Sequence, residues 1–151
     1  MSGSVSYELF NSRFPATTNG FTSEGGIYET FINKIGANSV KGTIVIASTS
    51  VDNAVSIAPA GSSMPIGIIY ESGIADGSAV KVVVYGKAQV LLAGGQSATH
   101  GNWCGVSNSV AGRMYQDITP RIVYHYQEIS HSIQTSSSGV DVLSLVQVHF
   151  N

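Results

Sequence analysis

The segment Val140-Asp141-Val142-Leu143-Ser144-Leu145-Val146-Gln147-Val148-His149-Phe150-Asn151 constrains the chain most. Val140, Val142, Val146, Val148 and Phe150 fall on one side of a period-two pattern, with Ser144 the single polar residue among them. Successive side chains of a strand point to opposite faces, so this pattern predicts a strand with one buried face. The expectation is a chain whose last residues are stitched into its own sheet, which suits a building block better than an enzyme.

From Lys41 onward the same rhythm recurs. Thr43 to Ala47, Ala54 to Ala58 and Pro65 to Tyr70 read as short strands, with a turn at Pro59-Ala60-Gly61-Ser62. The Asp76-Gly77 pair favours a tight turn before Val80 to Tyr85. Gly86 marks a bulge or bend before Ala88 to Leu92. Asn102 to Val106, Arg113 to Ile118, Ile122 to Ile129 and Asp141 to Phe150 complete the set, with turns at Ala111-Gly112 and Ser136 to Gly139. Many short strands with Gly-rich turns predict an all-β domain over residues 40–151: a small β-barrel, β-tulip-like, or a sandwich. Strand and helix do not alternate, which excludes a doubly wound sheet. No internal repeat is legible.

Residues 1–39 differ. Tyr7, Phe10, Phe14, Phe21, Tyr28 and Phe31 are spaced irregularly among Asn, Thr, Pro and Gly. Glu29 to Ile35 could make a turn or two of helix, ended by Gly36. Disordered segments are short of aromatics, so an extended N-terminal arm is the better reading. Its six aromatics would be anchors, docked either on the chain's own sheet or on another subunit.

Only 11% of the 151 residues are Asp, Glu, Lys or Arg, against about 25% in an ordinary soluble domain. Ser, Thr, Asn, Gln and Gly take their place, and such a surface costs little to dehydrate against a neighbour. Seven basic and nine acidic residues give a net charge of −2. Lys34, Lys41, Lys81, Lys87, Arg13, Arg113 and Arg121 are scattered, which argues against a nucleic-acid partner. There is no basic amphipathic helix for a membrane surface and no apolar run of membrane-spanning length. Cys104 is alone, so the fold does not depend on an oxidising compartment. The N-terminus lacks a basic start and an apolar core, so assembly in a cytoplasm is expected.

The chemistry-bearing residues form no recognisable set. His100, His125, His131 and His149 lack the tight recurring spacing of zinc ligands, and Cys104, four residues from His100, has no second pair beside it. Serines are abundant, but no Gly-x-Ser-x-Gly elbow is present. Asp52, Asp76 and Asp141 read as turn or edge residues, not as paired acids. Gly94 to Gly101 lacks the lysine of a phosphate loop. Trp103, Tyr85, Tyr115, Tyr124 and Tyr126 could form a sugar platform, though aromatics on strands are more often core or interface. The expectation is therefore no enzyme, no cofactor and no metal.

Three stretches together resemble the small capsid decoration, or cement, proteins of tailed bacteriophages and related virion proteins. The first is Asp52 to Gly61 followed by Pro65-Ile66-Gly67-Ile68-Ile69-Tyr70. The second is Glu71 to Gly77 leading into Val80 to Gly86. The third is Glu128 to Ile133 leading into Val148 to Asn151. The chain departs from the pattern at Ser130, where a glycine is expected, and at Gln134, where an acid is expected. The resemblance covers residues 41 to 151. It implies a small β-barrel or β-tulip domain on the outer surface of an icosahedral virion. It further implies a homo-oligomer, a trimer foremost, that binds and stabilises the major capsid protein without touching nucleic acid and uses an extended N-terminal arm. The base of a head fibre, another head or tail component, and a carbohydrate-binding adhesion module are the alternatives.

Overall fold

A computed structural model describes residues 19–117 and 128–148. The described residues form ten strands and no helix: β1 (Asn19–Phe21), β2 (Gly26–Asn33), β3 (Ile44–Ala47), β4 (Ala54–Ile57), β5 (Pro65–Ile69), β6 (Ala79–Leu91), β7 (Trp103–Val106), β8 (Met114–Asp117), β9 (Glu128–Ser132) and β10 (Leu143–Val148). The fold is all-β, as expected. β3 to β6 are built largely from Val and Ile, whose branched side chains fit a pleated surface.

β2 to β6 close into a five-stranded barrel. β2 runs parallel to β4 (Ile32↔Ala54), β4 pairs with β3, β3 with β5, and β5 with β6. β6 then returns to β2 through Tyr28↔Val83 to Ile32↔Ala79. Closure leaves this barrel no unpaired edge. β1 is an outer strand that folds back on β2 through a turn in which Gly25 N donates to Thr22 O at 3.2 Å.

β6 outlasts this barrel. At Gly86 the backbone takes φ +88°, and a Cβ there would lie 2.8 Å from the Gly25 carbonyl oxygen, so glycine is required twice over. Beyond it, Gly86 to Leu91 pair with β10, which continues through β9 and β7 to β8. A parallel bridge, Leu92↔Met114, brings β8 back to the end of β6 and closes a second ring.

The two rings are copies of one unit, although the sequence shows no repeat. In the first, Ile44, Val45 and Ile46 face Ile68, Gly67 and Pro65, with a bulge after Val45. In the second, Trp103, Cys104 and Gly105 face His131, Ser130 and Glu128, with a bulge after Cys104. The loops match as well. Ser48 N donates to Ala54 O, and Ser107 N to Arg113 O, both at 2.8 Å. Lys34 N donates to Val55 O and Ala93 N to Met114 O, at 2.9 and 2.8 Å. Left-handed residues recur in step: Gly36 and Gly95, Gly42 and Gly101, Asn53 and Gly112, Gly77 and Asp141.

The interiors have diverged. Val45, Val55, Ile69, Val80 and Val82 fill the first barrel. Their counterparts in the second are Cys104, Met114, Ser132, Ser144 and Val146, all fully buried. The buried hydroxyls are partnered: Ser132 Oγ donates to Gln134 O at 2.7 Å, and Ser136 Oγ to Ser144 Oγ at 3.0 Å. A larger cluster, including Ile44, Ile68, Val83, Val90, Leu92 and Val106, spans from one barrel to the other.

Three expectations change. Glu29 to Ile35 is not helical: Glu29 to Asn33 lie in β2, held by β6 along one edge and by β1 and β4 along the other. Of the arm placed at 1–39, β1 and β2 belong to the sheet, so the barrel domain begins well before residue 40; residues 1–18 lie outside the described residues. Val140 is 88% exposed and does not join the buried face of β10, which consists of Ser144, Val146 and Val148. Phe150 and most of the strand expected at Ile122 to Ile129 also lie outside the described residues.

Candidate functional site

The outer face of the first barrel carries the densest group of interacting polar and aromatic side chains described. Tyr28 on β2 and Tyr70 just after β5 hold their rings parallel, within 2° and 6.4 Å between centroids. The Lys41 ammonium sits 4.9 Å from the Tyr70 centroid, and the Lys81 ammonium 5.2 Å from that of Tyr28. Such cation–π contacts hold an ammonium over the electron-rich ring face. Lys41 Nζ also donates to Glu24 Oε1 at 2.7 Å. The β1–β2 turn closes over the group, because Ser23 N donates to the Tyr70 hydroxyl at 3.2 Å.

Burial works to raise the Glu24 carboxyl. Hydrogen bonds from Lys41, its own backbone N–H and Ser23, with the Lys41 charge, outweigh burial and hold it below the usual carboxylate range. In the second barrel the corresponding positions are Lys87, His100, Ile133 and Leu145. The barrel therefore does not require Tyr28, Lys41, Tyr70 and Lys81, which marks the group as particular to this face.

The six expected anchors separate. Phe21 on β1 is 70% exposed. Tyr28 joins the face just described. Phe31 points inward and packs against the first-barrel core. Tyr7, Phe10 and Phe14 lie outside the described residues. Sequence reasoning missed Tyr70, Lys41, Lys81 and Glu24, which come from four separate segments and have no common spacing.

His100 Nδ1 meets Thr135 Oγ1 at 2.8 Å, and the His131 ring lies 3.9 Å from that of Trp103, tilted by 46°. His125 and His149 lie outside the described residues. No three His, Cys, Asp or Glu converge on a metal position among the described residues. Cys104 is fully buried, and desolvation pushes its thiol up to about 12 despite hydrogen bonds at Ser132 and Ser130. That suits the small core residue expected there and not a nucleophile.

Comparison with protein-family models and with curated protein sequences finds no match.

Proposed function

We propose that the protein is a virion structural component that decorates an icosahedral phage capsid and stabilises it by binding major capsid protein subunits as a homo-oligomer. The observation that carries this reading is where the cement-like motifs lie. Pro65 to Tyr70, the Glu71 to Gly77 loop and Val80 to Gly86 form one continuous piece, β5, turn and the first half of β6, and so constitute one wall of the first barrel. A low-charge surface on closed barrels suits permanent contact with neighbours, since little hydration is lost when it is covered. Many weak contacts on one shell would add through avidity.

The test is co-sedimentation of the purified protein with undecorated shells, repeated after removal of residues 1–18. The cut stops before Asn19 because a longer one removes β2 and opens the first barrel. Saturable binding supports the reading, and loss of binding on truncation assigns the grip to the leading segment. Absence of binding by the intact chain refutes the reading.

A glycan-adhesion reading has one observation in its favour, the parallel rings of Tyr28 and Tyr70 with hydroxyl and ammonium groups beside them. Binding of a saccharide on a glycan array, lost in Tyr70→Ala, would support it.

A further inference from the structure

Lys81 sits on the Tyr28–Tyr70 face without a counter-charge. Among the described residues, Lys34, Lys41 and Arg113 each lie against a carboxylate, of Asp76, Glu24 and Asp141, at 3.4, 2.7 and 3.4 Å. Lys87 is exposed to water, the ordinary place for an ammonium. Lys81 is half-buried, and its ammonium meets the Tyr28 ring, 5.2 Å from the centroid, and no described carboxylate. The acids around it are engaged elsewhere. Glu24 Oε1 accepts from the Lys41 ammonium, and Glu24 Oε2 from the Ser23 hydroxyl at 3.0 Å. Glu71 Oε1 accepts the backbone N–H of Lys81 at 3.2 Å and not its side chain.

The barrel does not ask for this charge. In the second barrel Leu145 takes the place of Lys81, opposite Gln89 as Lys81 is opposite Thr30. Withdrawing an ammonium from water without a partner costs free energy that an aliphatic side chain there would not. Such a departure from what the fold needs marks a functional position.

Tyr28 supplies a second unused group. Its hydroxyl has no hydrogen-bond partner among the described residues. Its place is reserved by Gly20, the residue opposite on β1, where a Cβ would lie 2.8 Å from the hydroxyl oxygen and 2.9 Å from Cζ. A strand glycine of this kind permits close approach. Beside it, the Tyr70 hydroxyl and Ser23 Oγ lie 3.0 Å apart, and Ser23 is exposed.

We infer that this face binds a carboxylate-bearing saccharide, a uronate or a sialate, with the carboxylate on the Lys81 ammonium and the Tyr28 hydroxyl and the sugar hydroxyls toward Ser23 and Tyr70. The ammonium lies over the ring whose rim carries that hydroxyl, so the two oxygens of one carboxylate can serve both donors. Tyrosine pairs an apolar body with a polar tip, which suits a ligand that is apolar on one side and hydroxylated on the other. The inference rests on the glycan-adhesion reading of this face and adds acid specificity to it. Shell co-sedimentation reads capsid binding separately.

The test titrates the full chain with trigalacturonate, with sialyllactose, with the methyl ester of each and with a tetraglutamate peptide, following the NMR shifts of the Tyr28, Tyr70 and Lys81 amides. One or both acids should bind, and the matching ester should bind roughly tenfold more weakly, in line with the loss of one charged hydrogen bond. Lys81→Leu should erase the difference between acid and ester without lowering the unfolding temperature, and Lys81→Arg should keep it. If acid and ester bind alike, or if Lys81→Leu still tells them apart, the carboxylate subsite is wrong while glycan adhesion survives. If no saccharide binds, both fall. Tetraglutamate binding as tightly as the better acid identifies a peptide ligand and overturns the inference as well.

Discussion

Gln134 Oε1 accepts the backbone N–H of Leu145 at 2.9 Å, and its counterpart Glu71 does the same for Lys81 at 3.2 Å. An amide and a carboxylate thus perform one task at matching places in the two barrels, closing the loop ahead of the last strand of each. Glu71→Gln should therefore leave stability unchanged within error. Gln134→Leu removes the acceptor and should cost about 1 kcal/mol, the usual worth of such a bond. Urea unfolding of the two variants checks both expectations.

The Glu24–Lys41 pair gives stability an acid edge. The Glu24 carboxyl is held below its ordinary 4.5 in the folded chain. A depressed folded pKa contributes stability that is complete above the unfolded value and is lost as pH falls through the folded one. Asp76 acts in the same direction, through the Gly36 N–H at 2.9 Å and then Lys34. Glu24→Gln should lower the melting temperature at pH 7 slightly and leave it nearly unchanged at pH 3. Equal losses at both pH values would contradict this account.

The second barrel should be the weaker one. Ser144 and Ser132 occupy the places that Val80 and Ile69 hold in the first. Val80→Ser should destabilise by about 2–3 kcal/mol, through lost apolar burial and a buried hydroxyl without a built-in partner. Ser144→Val should be neutral or stabilising. In native-state hydrogen exchange, amides of β7, β9 and β10 should open before those of β3 and β5. Uniform protection across both barrels would refute the ranking.

Cys104 reports the same opening. With the thiol pushed up to about 12 and the residue fully buried, an aromatic disulfide reagent at pH 8 should leave the native chain unlabelled. Labelling should appear in urea before global unfolding and should track exchange in β7. Rapid labelling of the native protein would mean that the thiol is accessible.

Gly86→Ala should be among the most damaging single changes outside the core, by about 2 kcal/mol or more. It combines a left-handed backbone with a clash against the Gly25 carbonyl. Thermal unfolding measures it, and Gly94→Ala, where a Cβ meets nothing within 4 Å, is the control.

β3, β4, β5 and β6 were legible because their Val and Ile runs sit between Pro, Asp-Gly and Gly signals that act locally. The bend at Gly86 was legible for the same reason. β2 was not, since Glu29 to Ile35 has no period of its own and becomes a strand only because neighbours bond both its edges. The duplication was hidden because it persists in backbone register and left-handed positions, while the interior side chains changed from Val45, Ile69 and Val80 to Cys104, Ser132 and Ser144. Ser130 and Gln134, where the family pattern has a glycine and an acid, stand in the second barrel where Gly67 and Glu71 stand in the first. The Tyr28–Tyr70 face was illegible because distant segments assemble it.

β6 belongs to both barrels and passes from one to the other at the left-handed Gly86. A pull on one half passes to the other along the backbone of one strand, flanked by β2 and β5 on one stretch and by β10 on the next. Hydrogen bonds lying across the direction of pull share the strain together and do not peel apart in turn. The two barrels therefore share a strand and not a linker, so a displacement of one stretch of β6 is felt in the other.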